Sequence, residues 1–224
     1  MQKTIKTVIK IEIETLFDEN GLLSLEKMEH LSMVCANLHN SGVQILLVSS
    51  GAIALGASRL GMNQAPAGIT AKQAVAAVGQ AELIIAYQNY FDDFNQVVAQ
   101  VLLTRDVIDN PIRNRNTKNT LNSLINKGII PVINENDSVS TSDIIINDNY
   151  PLVLIVASLI DADAIVVNTF ERDKFKLILK NRSSIHKITL EELLDLYKTI
   201  NGVKCRAGQD MVGFPEFYQS AGNS

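Results

Sequence analysis

Two short polar runs stand beside apolar stretches in this chain, where side chains and backbone amides could meet a small charged ligand. Ser49-Ser50-Gly51-Ala52 follows an apolar run over residues 43–48, and Asn134-Glu135-Asn136-Asp137 follows one over 129–133. Gly51 lets a backbone approach a ligand closely, and amides at a helix start attract a carboxylate through unpaired N–H groups and the helix dipole. The 134–137 quartet groups side chains able to receive an α-ammonium and to hydrogen-bond carboxylate oxygens. A plainer role for the serines is helix capping, and residue types alone leave the two roles even. A turn network is the plainer role for the quartet, and four such groups at a strand end need many partners.

These residues need elements to position them, and the sequence alternates strand and helix patterns. Residues 4–13, 43–48, 97–103, 129–133 and 164–167 read as strands, the later ones as continuous apolar runs of the kind buried on both faces of a parallel sheet. Ser24 reads as the N-cap of a helix to His39, with Leu25, Met28, Leu31, Val34, Cys35 and Leu38 on one face. Further helices are expected from Gly51, over 71–91, over 116–126 and over 152–159. Residues 140–146 read as an antiparallel excursion. Such alternation predicts an α/β fold, a three-layer αβα sandwich with a mainly parallel sheet. In such sheets ligands sit at the carboxyl ends of the strands.

Length and composition bound the class of function. The 224 residues fit one domain, and an apolar fraction of 46% with 20% charged residues supplies an ordinary globular core. A net charge of −4 and scattered basic residues argue against nucleic acid as a partner. The group Arg113, Arg115 and Lys118 reads as a solvated turn. Cys35 and Cys205 lack metal-ligand spacing, and Cys35 falls on an apolar helix face as a buried thiol. The longest apolar run is too short for a membrane span, and residues 1–10 read as a strand rather than a signal peptide, so a cytoplasmic protein is expected.

With the helical stretch Lys72-Gln73-Ala74-Val75-Ala76-Ala77-Val78-Gly79-Gln80, the runs at 49–54 and 132–137 resemble the glutamate 5-kinases, a group within the amino acid kinase family that opens proline synthesis. The resemblance runs from about residue 8 to residue 167 and weakens beyond. It implies an amino acid kinase-like domain over 1–224, glutamate as ligand, proline as a feedback ligand, and ATP with Mg2+ as phosphoryl donor. It implies a homo-oligomer or association with a paralogue, and no membrane partner. Carried over residue by residue, it assigns glutamate contacts to Ser50, Gly51, Ala52, Asn134, Asp137 and Asn149. Catalytic roles fall to Lys10 and Asp148, nucleotide contacts to Lys10 and Thr169, and no residues to a dedicated metal site. The 74–78 alanines read as a packing interface, with Gln73 and Gln80 as secondary site candidates.

The phosphate-binding motifs of the resemblance are altered. After Lys10 the chain reads Ile11-Glu12-Ile13-Glu14, where the family has a glycine-hydroxyl loop. Two carboxylates beside a polyphosphate each add a repulsion of roughly 1 kcal/mol in water, or about 4 kcal/mol at an effective dielectric of 20, at about 4 Å. The simplest reading extends the first strand to Thr15 with Glu12 and Glu14 in solvent. Tyr150 and Phe170 replace acids, Ala207-Gly208-Gln209-Asp210-Met211 stands where paired glycines are expected, and no lysine follows Lys204. One carboxylate at Asp148 makes a weak metal site. The sequence therefore carries the expectation of a shortened member without the C-terminal RNA-modification-like domain, which binds Mg-ATP poorly. Three functions stay open: a working glutamate kinase, a glutamate- or proline-binding regulatory pseudokinase, and a decayed product.

Overall fold

In the computed structural model, which describes residues 4–18, 21–140, 149–168, 174–179 and 185–189, five parallel strands form the centre of the molecule. They are β1 (Lys6–Ile11), β2 (Gln44–Ser49), β3 (Val98–Leu103), β4 (Ile130–Glu135) and β5 (Ala164–Asn168). The helices are α1 (Ile13–Leu16), α2 (Leu25–Asn40), α3 (Ala52–Arg59), α4 (Ile69–Asp92), α5 (Pro111–Asn126) and α6 (Tyr150–Ile160). The strand order is β3-β4-β2-β1-β5, continued at the β5 edge by β6 (Lys174–Leu179) and β7 (Ile185–Thr189). Both added strands pair antiparallel, and neither was expected from the sequence.

Alternate residues of each strand enter different faces, as the period of two requires. Ile9, Ile11, Ile45, Leu47, Val132 and Val166 meet α2 and α4 through residues such as Met28, Leu31, Leu83 and Tyr87. Val8, Leu46, Val48, Ile133, Ile165 and Val167 meet α5 and α6 on the other face. The result is the expected three-layer αβα sandwich, and the continuous apolar runs are strands covered on both sides.

Two local expectations are corrected. β1 does not run on to Thr15: it ends at Ile11, and the chain turns into the short helix α1. Glu12 does not point freely to solvent either, because its carboxylate lies 2.6 Å from the Lys10 ammonium. Arg113, Arg115 and Lys118 lie on a helix rather than a turn, since α5 starts five residues earlier than periodicity suggested. Asn110 Oδ1 accepts from the amides of Ile112 and Arg113, both at 3.1 Å, and Pro111 occupies the first helical position. Cap and proline supplied that start, while polar residues over 113–120 hid the apolar period. Ser24 caps α2 as expected, accepting from the Lys27 amide. Of the excursion expected over 140–146, all but Ser140 lies outside the described residues.

Because β1, β2 and β4 are parallel neighbours, their carboxyl ends lie at one edge of the sheet. Lys10 pairs in register with Val48, and Ile11 with Ser49, so Lys10 stands beside the strand that leads into Ser50.

Candidate functional site

A cleft of about 510 Å³ opens at this edge, and Ser50, Gly51, Ala52, Asn134, Asp137 and Asn149 all line it. These six come from the β2–α3 junction, the end of β4 with its following turn, and the start of α6. The fold thus gathers residues a hundred positions apart. Ile53, Ala54, Ala57 and Ser58 complete the α3 side.

Asn149 joins the three segments. Its Nδ2 lies 2.6 Å from the Ser49 carbonyl, 2.9 Å from Asn134 Oδ1 and 3.3 Å from Ser50 Oγ. Asn134 Oδ1 also accepts from the Glu135 amide at 2.8 Å, which fixes the orientation of a side chain that is only 4% exposed. Asn149 stands at the N-cap position of α6 yet makes no side-chain capping bond there. Its amide is turned instead to the β2–α3 junction.

Gly51 explains the close wall of the cleft. Its φ is +103°, and a Cβ there would come within 2.7 Å of the Phe17 ring and 3.6 Å of Ile13. Only glycine fits both the conformation and the space. Leu55 donates to the Gly51 carbonyl at 2.9 Å, the first bond of α3. The amides of Ala52, Ile53 and Ala54 therefore have no acceptor within the helix, and they stand at its positive end beside the cleft. Among the described lining residues, Asp137 carries the only ionisable side chain. Amides on one side and a carboxylate on the other suit a zwitterionic head: carboxylate to α3, ammonium to Asp137.

Ser49 takes no part in the lining. Its hydroxyl is 2.9 Å from the Tyr87 hydroxyl in the core, and both residues are fully buried. Burial pushes the Tyr87 phenol well above its ordinary pKa, with the Ser49 bond acting the other way, so the pair is a neutral hydrogen bond. Gln73 and Gln80 also lie outside the lining residues and face backbone carbonyls of the turn after β4. The alanine-rich stretch is the packing interface its composition suggested. A Cβ on Gly79 would fall 1.7 Å from the Ala52 carbonyl oxygen, and one on Gly56 2.0 Å from that of Val75. Glycine at both positions lets α3 and α4 touch backbone to backbone.

Residue types did not point to the remaining walls, made by Ile13, Gly21 and Leu22 from the β1–α2 connection and by residues 61–65 between α3 and α4. The latter segment, Gly61-Met62-Asn63-Gln64-Ala65 before Pro66, carries an ordinary loop signal that could have been placed beside the serines.

On the phosphate side, Lys10 is 5% exposed and its ammonium meets Glu12. Asp148 and Thr169 lie outside the described residues. Among the described residues no group of three or more His, Cys, Asp or Glu side chains could hold a metal, and no helix is long and apolar enough to cross a membrane.

The chain belongs to the amino acid kinase family, whose model matches residues 6–208. Among its relatives, the chain is 45% identical over 166 residues to the glutamate 5-kinase of Listeria monocytogenes serotype 4b (strain CLIP80459), covering 72% of this chain and 60% of that one. It is 39% identical over 208 residues to the glutamate 5-kinase of Caldanaerobacter subterraneus subsp. tengcongensis, covering 91% and 55% respectively. The likeness thus extends past residue 167, where motifs alone had lost it. The chain spans about 60% of the length of the first of these relatives. The solved structure of UMP kinase from Ureaplasma parvum shares the fold with a TM-score of 0.50, at 14% identity over 75% of this chain and 70% of that one.

Proposed function

We propose that this chain binds glutamate in the cleft, as a glutamate 5-kinase-like protein of proline biosynthesis, and that its own Glu12 holds the phosphate side in a state unfavourable to phosphoryl transfer. The observation that carries the first half is the Asn149 amide, which ties Ser50, Asn134 and the β2 terminus into one rim with Asp137 beside it. The α-carboxylate is received by the α3 amides and the α-ammonium by Asp137. That leaves the γ-carboxylate to extend along the sheet edge towards Lys10.

In the reaction that the resemblance to glutamate 5-kinases implies, ATP with Mg2+ supplies the phosphoryl group that forms γ-glutamyl phosphate. The described residues fit that donor poorly. A phosphate-binding loop presents amides and cations, whereas here a carboxylate 2.6 Å from Lys10 already neutralises the cation. This supports a second role beside slow catalysis, that of an amino-acid-responsive regulatory chain acting with an active paralogue.

Calorimetry with glutamate and, separately, with Mg-ATP tests both halves. Glutamate should bind, and Asp137→Asn should weaken it by roughly tenfold to a hundredfold, the share of a charge-assisted hydrogen bond. Absence of glutamate binding by the wild-type chain would end the reading of the cleft. Turnover to γ-glutamyl phosphate at about 1 per second or faster, the usual range for enzymes, would end the reading of the phosphate side.

A further inference from the structure

The turn that carries Asp137 is held by a different helix from the one that offers the amides. Within it, the Asn136 amide donates to the Leu103 carbonyl at 2.7 Å, and the amides of Val139 and Ser140 donate to the Asn136 carbonyl at 3.1 and 3.0 Å. α4 grips both ends: Gln80 Nε2 donates to the Glu135 carbonyl and Gln73 Nε2 to the Ser140 carbonyl, each at 3.2 Å. These glutamines are seven residues apart, two helical turns along one face of α4. Ser140 Oγ closes the turn onto the Glu135 carboxylate at 2.9 Å, with Ser140 7% and Glu135 3% exposed. Gln80, itself 7% exposed, follows Gly79, whose backbone lies against the Ala52 carbonyl at the start of α3. One rigid helix therefore touches both the amide-bearing and the carboxylate-bearing sides of the cleft.

We propose that Gln73 and Gln80 are positioning residues that hold the Asp137 turn at a fixed spacing from the α3 amides, and so set the cleft's selectivity for α-amino acids over dicarboxylates without an amino group. The proposal rests on the reading of the cleft as a glutamate site. Neither glutamine is among the residues that line the cleft. Each acts through a backbone carbonyl, so a side chain of similar length without a donor removes the brace and keeps the packing. A buried carbonyl that loses its donor moves towards another partner or water, and the turn moves with it.

The test compares the wild-type chain with Gln73→Met, the double variant Gln73→Met/Gln80→Met, and Gln88→Met as a control at an exposed position of the same helix. Amide hydrogen exchange over residues 136–140 is measured without ligand, and glutamate and glutarate are titrated by calorimetry. The brace predicts about tenfold faster exchange in that turn and about tenfold weaker glutamate binding, with glutarate binding unchanged and the Gln88 variant like wild type. Unchanged exchange overturns the proposal, and so does equal weakening of both ligands, which marks a merely structural role. If the double variant fails to fold, the half-buried Gln73→Met alone supplies the same comparison at one end of the turn. A wild-type chain that binds no glutamate would defeat the reading of the cleft, and the exchange rates alone would then decide whether the brace exists.

Discussion

Replacing Glu12 with glutamine should remove the carboxylate that meets Lys10 and so favour a phosphate beside it. The side chains lie 2.6 Å apart, with Lys10 6% and Glu12 31% exposed. At that separation the Coulomb attraction is about 1.6 kcal/mol in water and about 6 kcal/mol at an effective dielectric of 20. Glu12 reaches solvent, so screening draws the effective value towards the lower end, near 1–2 kcal/mol. An incoming phosphate must displace this carboxylate or accept its repulsion. Glu12→Gln keeps the volume and a hydrogen-bonding oxygen but removes the charge, so Mg-ATP and inorganic triphosphate should bind roughly tenfold tighter. Calorimetric titration at low and high salt provides the measurement, and the gain should shrink as ionic strength rises. Lys10→Met in the Glu12→Gln background should abolish the gain. Equal affinity of the wild type and Glu12→Gln at low salt would refute the reasoning, because Glu12 would then not be what keeps phosphate from Lys10.

Two further outcomes follow from packing and burial. Gly79→Ala forces apart α3 and α4 at the 1.7 Å approach to the Ala52 carbonyl, at an expected cost of about 1–3 kcal/mol and a melting temperature roughly 2–12 °C lower in a thermal denaturation scan, and an unchanged melting temperature would refute the backbone-to-backbone contact. Burial pushes the Cys35 thiol up to about 12, so the native state keeps its proton where the unfolded chain releases it. That contribution is complete below the unfolded thiol's pKa near 8.5 and is lost as pH rises towards 12, by up to about 1.4 kcal/mol per pH unit. Denaturation midpoints between pH 7 and 10 should therefore fall, and Cys35→Ala should flatten the slope.

Much of the sandwich was legible because its strands are buried on both faces. Runs such as Ile45-Leu46-Leu47-Val48 contain no polar position to confuse with a helix face, and the structure covers both their sides. The antiparallel edge, β6 and β7, lacked that signature: Lys174-Phe175-Lys176-Leu177-Ile178-Leu179 mixes lysines into a short apolar stretch, which no flanking helix pattern framed. The start of α5 was written in Asn110-Pro111 but was masked by the polar face that follows. At the cleft, parallel topology forces strand ends to converge, so strand-end position brought Ser50, Asn134 and Asp137 to one edge, while the family resemblance was needed to choose a ligand site over capping and turn roles. The roles of Gln73 and Gln80 were not legible. Side-chain bonds to backbone carbonyls depend on three-dimensional register and leave no residue pattern in the partner.

The changes after Lys10 act on both halves of the site at once. Residues 12–17 do not hang away from the cleft as an extended strand would. They fold into α1, pair Glu12 with Lys10, and pack Phe17, 6% exposed, against Gly51. Ile13 from the same segment becomes a wall of the cleft. It lies close to Gly51 at the start of α3, and an apolar wall beside the amides there would strengthen their electrostatic contacts to a bound carboxylate. The segment that pairs with Lys10 therefore also helps to enclose the cleft. Restoring glycine and hydroxyl residues at 12–14 would open that wall, and glutamate affinity would fall as phosphate affinity rose. On the proposed reading of the cleft, the two halves are coupled through one short stretch of chain, and glutamate affinity would depend on residues 12–17 as much as on Ser50, Asp137 and Asn149.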